Sequence, residues 1–174
     1  MDRGGFTIIH AEHEPELSLA RELFREYVAS LSFSLDYQGI DSELASLPGR
    51  YAPPSGCILL AMDDERRAIG CIALRQIDAM AWDVTDGRAM RVCEMKRMYV
   101  PPAARGRGIA RALAERLVAF AQNAGYERMK LDTEHDFIAA VGLYRSLGFV
   151  DCPRYNDDPQ PNTIWMCKDL PRRA

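Results

Sequence analysis

The sequence predicts an α/β fold: a mixed β-sheet flanked by helices. Three observations carry this prediction. From Arg91 onward, strand-like and helix-like segments alternate strand-helix-strand-helix-strand, which implies crossover units on a sheet. Upstream, Cys57–Met62 and Ala68–Gln76 read as two apolar strands joined by the polar turn Asp63-Asp64-Glu65-Arg66, the pattern of a hairpin. Before them, apolar residues recur at helical spacing.

The elements follow in order. Phe6–His10 reads as a short opening strand. Pro15 suits the first turn of a helix, and Leu17, Ala20, Leu23, Phe24, Tyr27, Val28 and Leu31 form its apolar stripe. A second short helix is predicted from Ser42, with Asp41 as N-cap and Pro48-Gly49 as its stop. After the hairpin, a polar loop holding Asp78, Asp83, Asp86 and Gly87 leads into a strand over Arg91–Val100. A glycine-rich turn then opens a helix with Ile109, Leu113, Leu117 and Phe120 on one face, and Gly125 is placed to close it. Arg128–Thr133 is the next strand. A helix over Phe137–Leu147 follows, with Asp136 as N-cap and Gly148 past its end. Phe149–Cys152 and Thr163–Leu170 supply the last strands, separated by a loop rich in Pro, Asp and Asn.

The 174 residues fit one domain, 1–174, with room for a substantial core. Hydrophobic residues make up 48% and charged residues 27%, the balance of an ordinary globular protein. A formal net charge of -3 gives no reason to expect a nucleic-acid or anionic-membrane partner. No apolar run approaches the roughly 18 residues of a membrane span, and Met1-Asp2-Arg3-Gly4-Gly5 is not a secretory signal. A cytoplasmic protein is expected. The five cysteines stand singly, without a C-x-x-C pair, which argues against a disulfide framework or cysteine-type zinc site. His10, His13 and His135 lack helical pairing with a carboxylate, so no metal is expected.

The chemistry concentrates on Arg105-Gly106-Arg107-Gly108-Ile109-Ala110, between a strand and an amphipathic helix. Glycine admits positive φ and brings backbone N–H groups close to a ligand. With the positive end of the helix dipole, those groups make an anion site suited to a pyrophosphate. Arg105 and Arg107 add charge beside it. A P-loop needs Gly-Lys-Ser/Thr, which is absent. A dinucleotide fold has in its favour Gly106-x-Gly108 and Asp132 at the end of the next strand, but Arg111 stands at the third glycine position. The strand Arg91–Val100 is also more charged than a central strand buried on both faces should be. Coenzyme A is the third candidate, and a helix N-terminus with no ligand is the bland alternative.

The wider segment Met98–Ala110 resembles the core motif of the GNAT N-acetyltransferase superfamily, whose Arg/Gln-x-x-Gly-x-Gly/Ala pattern is matched by Arg105, Gly108 and Ala110. The resemblance continues through Gly125-Tyr126, Leu131-Asp132-Thr133 and Leu143-Tyr144-Arg145-Ser146-Leu147-Gly148-Phe149, and the upstream helices and hairpin have the matching order. It covers nearly the whole chain. It implies a single-domain GNAT-like mixed sheet flanked by helices, with a splayed central strand pair. Acetyl-CoA is the implied cosubstrate, contacted at Met98, Tyr99, Val100, Arg105, Gly106, Arg107, Gly108, Ile109 and Ala110, with the pantetheine arm pairing main-chain groups near Met98 and Val100. One position departs: where the family often has Asn, Phe137 stands, so that side-chain amide is missing.

The resemblance assigns Tyr144 to protonating the leaving thiolate. By spacing alone, its helical stripe with Val141 and Leu147 favours a core aromatic, and the resemblance reverses that preference. An amine nucleophile is mostly protonated at neutral pH, which calls for a base. Glu94, on the strand before the turn, is the candidate, and strand alternation would put Glu94, Met98 and Val100 on one face in the absence of a bulge. The bland alternative is an ion pair with Lys96 or Arg97. Tyr155–Pro159 and Ser34–Gln38 are candidate acceptor walls or simply turn-forming loops. Asp83, Asp86, Glu94, Glu134, Asp157 and Asp158 hint at a cationic acceptor. The expected activity is acetyl transfer to a primary amine of a small molecule or peptide by direct attack in a ternary complex. A non-catalytic acyl-CoA-binding module is the alternative, with a nucleotide-dependent oxidoreductase third. A second copy of the chain, in a homodimer, is a further candidate partner.

Overall fold

A computed structural model describes residues 5–171. Its helices are α1 (Glu16–Ala29), α2 (Ile40–Ala45), α3 (Ile109–Asn123) and α4 (Ile138–Ser146). Its strands are β1 (Thr7–His10), β2 (Cys57–Met62), β3 (Ala68–Ile77), β4 (Val84–Thr85), β5 (Arg88–Ala89), β6 (Val92–Tyr99), β7 (Arg128–Glu134), β8 (Val150–Asp151) and β9 (Thr163–Asp169). Seven strands form a mixed sheet in the order β1-β2-β3-β6-β7-β9-β8, while β4 pairs with β5 alone. This is the predicted α/β class. The chain clusters into two compact units: residues up to Arg75 with Lys96–Leu117, and Gln76–Met95 with the chain from Val118 onward.

In the first unit β2 pairs antiparallel with β1 (Thr7↔Met62 to His10↔Leu59) and with β3 (Cys57↔Leu74 to Ala61↔Gly70, then Met62↔Ala68 past a register shift). All six residues of β2 are buried, as its unbroken apolar run predicts. The α1 stripe buries Leu17, Ala20, Leu23 and Phe24 in a core that includes Ile58, Leu60, Cys71 and Ala73. Full burial of a Leu or Phe contributes about 1.5–3 kcal/mol, so this stripe is what holds α1 in place. Gly70 lets the first turns of α3 come close: a Cβ there would lie 2.9 Å from Ile109 Cγ2 and 3.2 Å from Leu113 Cδ1.

In the second unit β9 pairs antiparallel with β7 from Arg128↔Asp169 to Glu134↔Thr163, and with β8 at Val150↔Cys167 and Asp151↔Met166. The parallel ladder of β6 with β7 runs over three pairs, Val92↔Arg128, Cys93↔Met129 and Glu94↔Lys130, then stops. Yet β6 continues to Tyr99 and β7 to Glu134. That early stop is the splayed strand pair.

Four details differ from the sequence reading. The loop after β3 contains the hairpin β4/β5, turned by Asp86 and Gly87, both at positive φ; an Asp-Gly pair favours such a turn. Helix α2 starts at Ile40, not Ser42, because the short 3-10 turn Asp36–Gln38 ends on Gly39 in the left-handed region and the helix resumes at once. Asp41 therefore lies inside α2 and is not its cap. Helix α4 is capped by Phe137, with no side-chain hydrogen bond; Asp136 instead accepts from Asn162 Nδ2 at 3.4 Å. Last, β6 is a central strand whose Glu94, Lys96 and Arg97 are all buried. Its charge did not keep it from the centre, because half-buried partners satisfy Glu94 and Arg97, as described next.

Candidate active site

The turn before α3 belongs to the first unit. Gly106 and Gly108 have φ of +77° and +78°, and a Cβ on either would meet nothing within 4 Å. Residues Arg105–Gly108 are exposed. The helix begins directly: Ala112 N–H donates to Gly108 O at 3.0 Å. Arg105 Nε donates to Val100 O at 3.0 Å, tying the turn to the end of β6, and Arg107 Nη2 donates to Gly5 O at 3.2 Å. The turn therefore presents backbone N–H groups and two guanidinium charges at the positive end of a 15-residue helix. Its residue set fits a pyrophosphate. Ile109, in contrast, is 2% exposed and packs its side chain into the core.

Strand β6 is bent within the same unit. Arg97 has φ +57°, a left-handed conformation that costs a non-glycine residue roughly 1–2 kcal/mol. The bend interrupts the two-residue alternation, so strand parity no longer links Glu94 to Met98 and Val100. Beyond Glu94, no β6 residue appears in the β7 register. Met98 and Val100 are half-buried, and Tyr99 is buried, with its ring centroid 6.1 Å from that of Tyr27. Arg97 does not pair with Glu94. Its guanidinium reaches Glu43 on α2, at 2.7 Å from Nε and 3.1 Å from Nη2, and Gln38 at 3.0 Å from Nη1.

Glu94 and Tyr144 both fall in the second unit. Glu94 is 1% exposed and accepts a 3.0 Å hydrogen bond from the Tyr155 hydroxyl. Burial pushes the Tyr155 phenol well above its ordinary pKa, and the neighbouring Glu94 and Asp132 charges push the same way. Tyr144, on α4, is 6% exposed, and its ring lies 6.0 Å from that of Phe149 in an edge-on contact. It therefore has the burial of the core reading. Phe137, at the family's Asn position, is exposed.

A polar network surrounds β7 and β9 in this unit. Asn156 Nδ2 donates to Asp132 at 3.0 Å, and Trp165 Nε1 donates to Asn156 Oδ1 at 2.8 Å. Thr163 Oγ1 bonds Glu134 at 2.9 Å and Asp158 at 3.0 Å. Burial raises the Glu134 pKa; the Thr163 hydrogen bond opposes this, and the charges of Asp158, Asp132 and Asp136 add to it. Of the acids singled out in the sequence, Asp83 is fully buried and committed to Lys130 Nζ and, at 3.0 Å, Arg128 Nη1. Its role is to neutralise those cations, not to attract an acceptor. Lys130 Nζ also sits 3.8 Å from the Trp82 ring centroid, a cation–π contact. Asn156 lies in the Tyr155–Pro159 segment singled out as a candidate acceptor wall, whereas Trp165, Lys130 and Trp82 carry no local motif and were missed from the sequence. Among the described residues no group of three or more His, Cys, Asp or Glu is arranged to hold a metal ion.

A mixed sheet whose β6–β7 ladder ends early, and an exposed glycine turn at a helix N-terminus whose residue set fits a pyrophosphate, are the features expected of a coenzyme A-dependent acyltransferase. Residues 17–149 match the Acetyltransferase (GNAT) family, and the chain belongs to it; it is an N-acetyltransferase that uses acetyl-CoA as acyl donor. It is 34% identical over 144 residues to an uncharacterized N-acetyltransferase of Schizosaccharomyces pombe, covering 83% of this chain and 82% of that one. The fold is similar to a putative acetyltransferase of Salmonella typhimurium solved with acetyl-CoA (TM-score 0.67, 22% identity, 97% and 96% of the two chains). It is also similar to a spermidine N-acetyltransferase of Vibrio cholerae solved with CoA and spermine (TM-score 0.67, 17% identity, 95% and 96% of the two chains).

Proposed function

We propose that the chain transfers the acetyl group of acetyl-CoA to a primary amine of a small molecule or peptide, by direct attack in a ternary complex. The observation that carries this reading is the exposed Arg105–Gly108 turn, with two positive-φ glycines and two arginines at the start of α3. Residues 17–149 of the family match run through both compact units, which supports reading 1–174 as one acetyl-CoA-dependent domain. The cysteines of the described residues are all free thiols, in keeping with a cytoplasmic setting. No helix among the described residues is long and apolar enough to cross a membrane.

Bound acetyl-CoA supplies a thioester acetyl group and a thiolate leaving group. The turn's N–H groups would hold its pyrophosphate, and main-chain groups of Met98–Val100 would pair with the pantetheine amides. A backbone N–H in that stretch would donate to the acetyl carbonyl; a preorganised donor of this kind is worth about 3–4 kcal/mol. Glu94 takes a proton from the acceptor ammonium, directly or through water. Tyr144 Oη returns one to the leaving sulfur, since a phenol at ~10 and a thiol at ~8.5 are close enough for useful transfer. The carboxylates Glu94, Asp132, Glu134 and Asp158 favour a cationic acceptor. Spermine in the complex of the Vibrio cholerae spermidine acetyltransferase is one such amine.

Thiol release from acetyl-CoA across a panel of polyamines, amino-sugars and peptide amines tests the reading. We expect turnover with at least one cationic primary amine. Tyr144→Phe should cut kcat about 10²-fold or more while leaving acetyl-CoA affinity nearly unchanged. An unchanged kcat removes Tyr144 from the acid role.

A further inference from the structure

The left-handed residue of β6 is an arginine, although glycine enters that region freely and L side chains resist it. Both ends of Arg97 are fixed from outside the strand. Its side chain is 2% exposed and gives two hydrogen bonds to Glu43 and one to Gln38. The planar guanidinium matches a carboxylate in a fixed fork, so this contact sets direction as well as distance. Burial disfavours its charge, yet the Glu43 hydrogen bonds and the charges around it more than offset this and raise its pKa. On the main-chain side, Cys71 Sγ on β3 donates to Arg97 O at 3.3 Å. The Cys71 thiol is fully buried, and burial pushes its pKa well up, so it stays the protonated donor.

We propose that Arg97, clamped by Glu43 and Gln38, is a positioning residue that holds the bend in β6 and thereby aims the Met98–Val100 main chain at the pantetheine arm of acetyl-CoA. This rests on the assignment of Met98–Val100 to pantetheine binding in the proposed function. Arg97 acts through the backbone, because its guanidinium is committed to Glu43 on α2 and to Gln38 in the 3-10 turn before it. Freed from the clamp, residue 97 relaxes toward extended φ, and the peptide groups that follow rotate away from the arm. The loss then falls on acetyl-CoA binding, with the proton-transfer groups untouched.

Calorimetric titration of acetyl-CoA into the wild type, Arg97→Ala, Arg97→Gly and Glu43→Gln separates this from a plain packing role, with Tm and the kcat and KM of each recorded beside it. Arg97→Ala should weaken acetyl-CoA binding about tenfold, raising KM more than it lowers kcat. Arg97→Gly, which holds φ +57° unaided, should stay within about threefold of wild type despite losing the same side chain. Glu43→Gln keeps Arg97 but loosens the fork and should fall between them. Equal weakening in the alanine and glycine variants overturns the proposal, as does a lowered Tm with unchanged affinity. Should Arg97→Ala fail to fold, Glu43→Gln decides: wild-type affinity there overturns it. A wild type that does not bind acetyl-CoA sinks the proposed function and this inference together, whereas a binding wild type with wild-type-like variants sinks this inference alone.

Discussion

The Tyr155 hydroxyl donates to the Glu94 carboxylate at 3.0 Å, joining the loop after β8 to the central strand β6. Glu94 is thereby buried with a donor already aimed at one of its oxygens. Glu94→Gln is expected to lower kcat/KM at neutral pH by on the order of 10²-fold, the range for a lost general base. The defect should narrow as pH rises, because more of the amine is then already free. Rate profiles of both proteins with one acceptor give the answer; a defect constant across pH would assign Glu94 a structural role. Tyr155→Phe removes a charge-assisted hydrogen bond and should cost about 1.5–3 kcal/mol of stability by denaturant titration.

Gly108 separates backbone strain from ligand contact. A Cβ there would meet nothing within 4 Å, so the main cost expected in the apo protein is the φ of +78°. Gly87, at φ +75° in the β4/β5 turn, is equally open and serves as the matched control. Gly108→Val and Gly87→Val should each lose roughly 1–2 kcal/mol or slightly more in chemical denaturation. Only Gly108→Val should also weaken acetyl-CoA binding, about tenfold or more, by filling the space the pyrophosphate needs. Equal affinities in the two variants would remove the turn from the cosubstrate site.

What the sequence made legible was local. The hairpin, the α1 and α3 stripes and the glycine turn each declare themselves within a dozen residues, because periodicity and turn chemistry are short-range signals. The early end of the β6–β7 ladder was reached through resemblance, and the proton-donor role proposed for Tyr144 rests on resemblance alone, since its burial against Phe149 is what its apolar spacing predicts. The partners of the buried charges were not legible. Tyr155 meets Glu94 across 61 positions and Arg97 meets Glu43 across 54. No spacing rule connects such residues. For the same reason Asp83 reads as an exposed acid near an acceptor, while in the fold Lys130 and Arg128, 47 and 45 positions away, enclose it.

That enclosure predicts a lopsided mutational response. Lys130→Met leaves the buried Asp83 carboxylate with Arg128 as its remaining cation, and Asp83→Asn leaves Lys130 Nζ with the Trp82 and Tyr155 rings but without its ion-pair partner. Breaking a buried pair on one side costs about 3–5 kcal/mol, whereas replacing both partners by neutral groups is often nearly neutral. The double variant should therefore be more stable than either single one. A double-mutant cycle in urea measures this. Additive losses would mean that the two charges are not coupled.

Alkaline pH should destabilise the protein through two tyrosines. Burial raises the pKa of Tyr155 and also that of Tyr51, whose hydroxyl is buried without a hydrogen-bond partner among the described residues. A folded pKa above the unfolded one means that the native state keeps a proton the unfolded chain releases. This stabilisation is complete below the ordinary phenol pKa of ~10 and shrinks as pH climbs through and beyond it. Denaturation midpoints compared at about pH 8 and pH 11 should fall, and the native protein should show fewer than its seven tyrosines ionising by absorbance. Tyr51→Phe is the sharper probe, because it removes the titrating group while leaving the Tyr155–Glu94 hydrogen bond intact. If its midpoint falls between the two pH values as far as the wild-type midpoint does, Tyr51 does not contribute to the loss, and the burial argument for it fails.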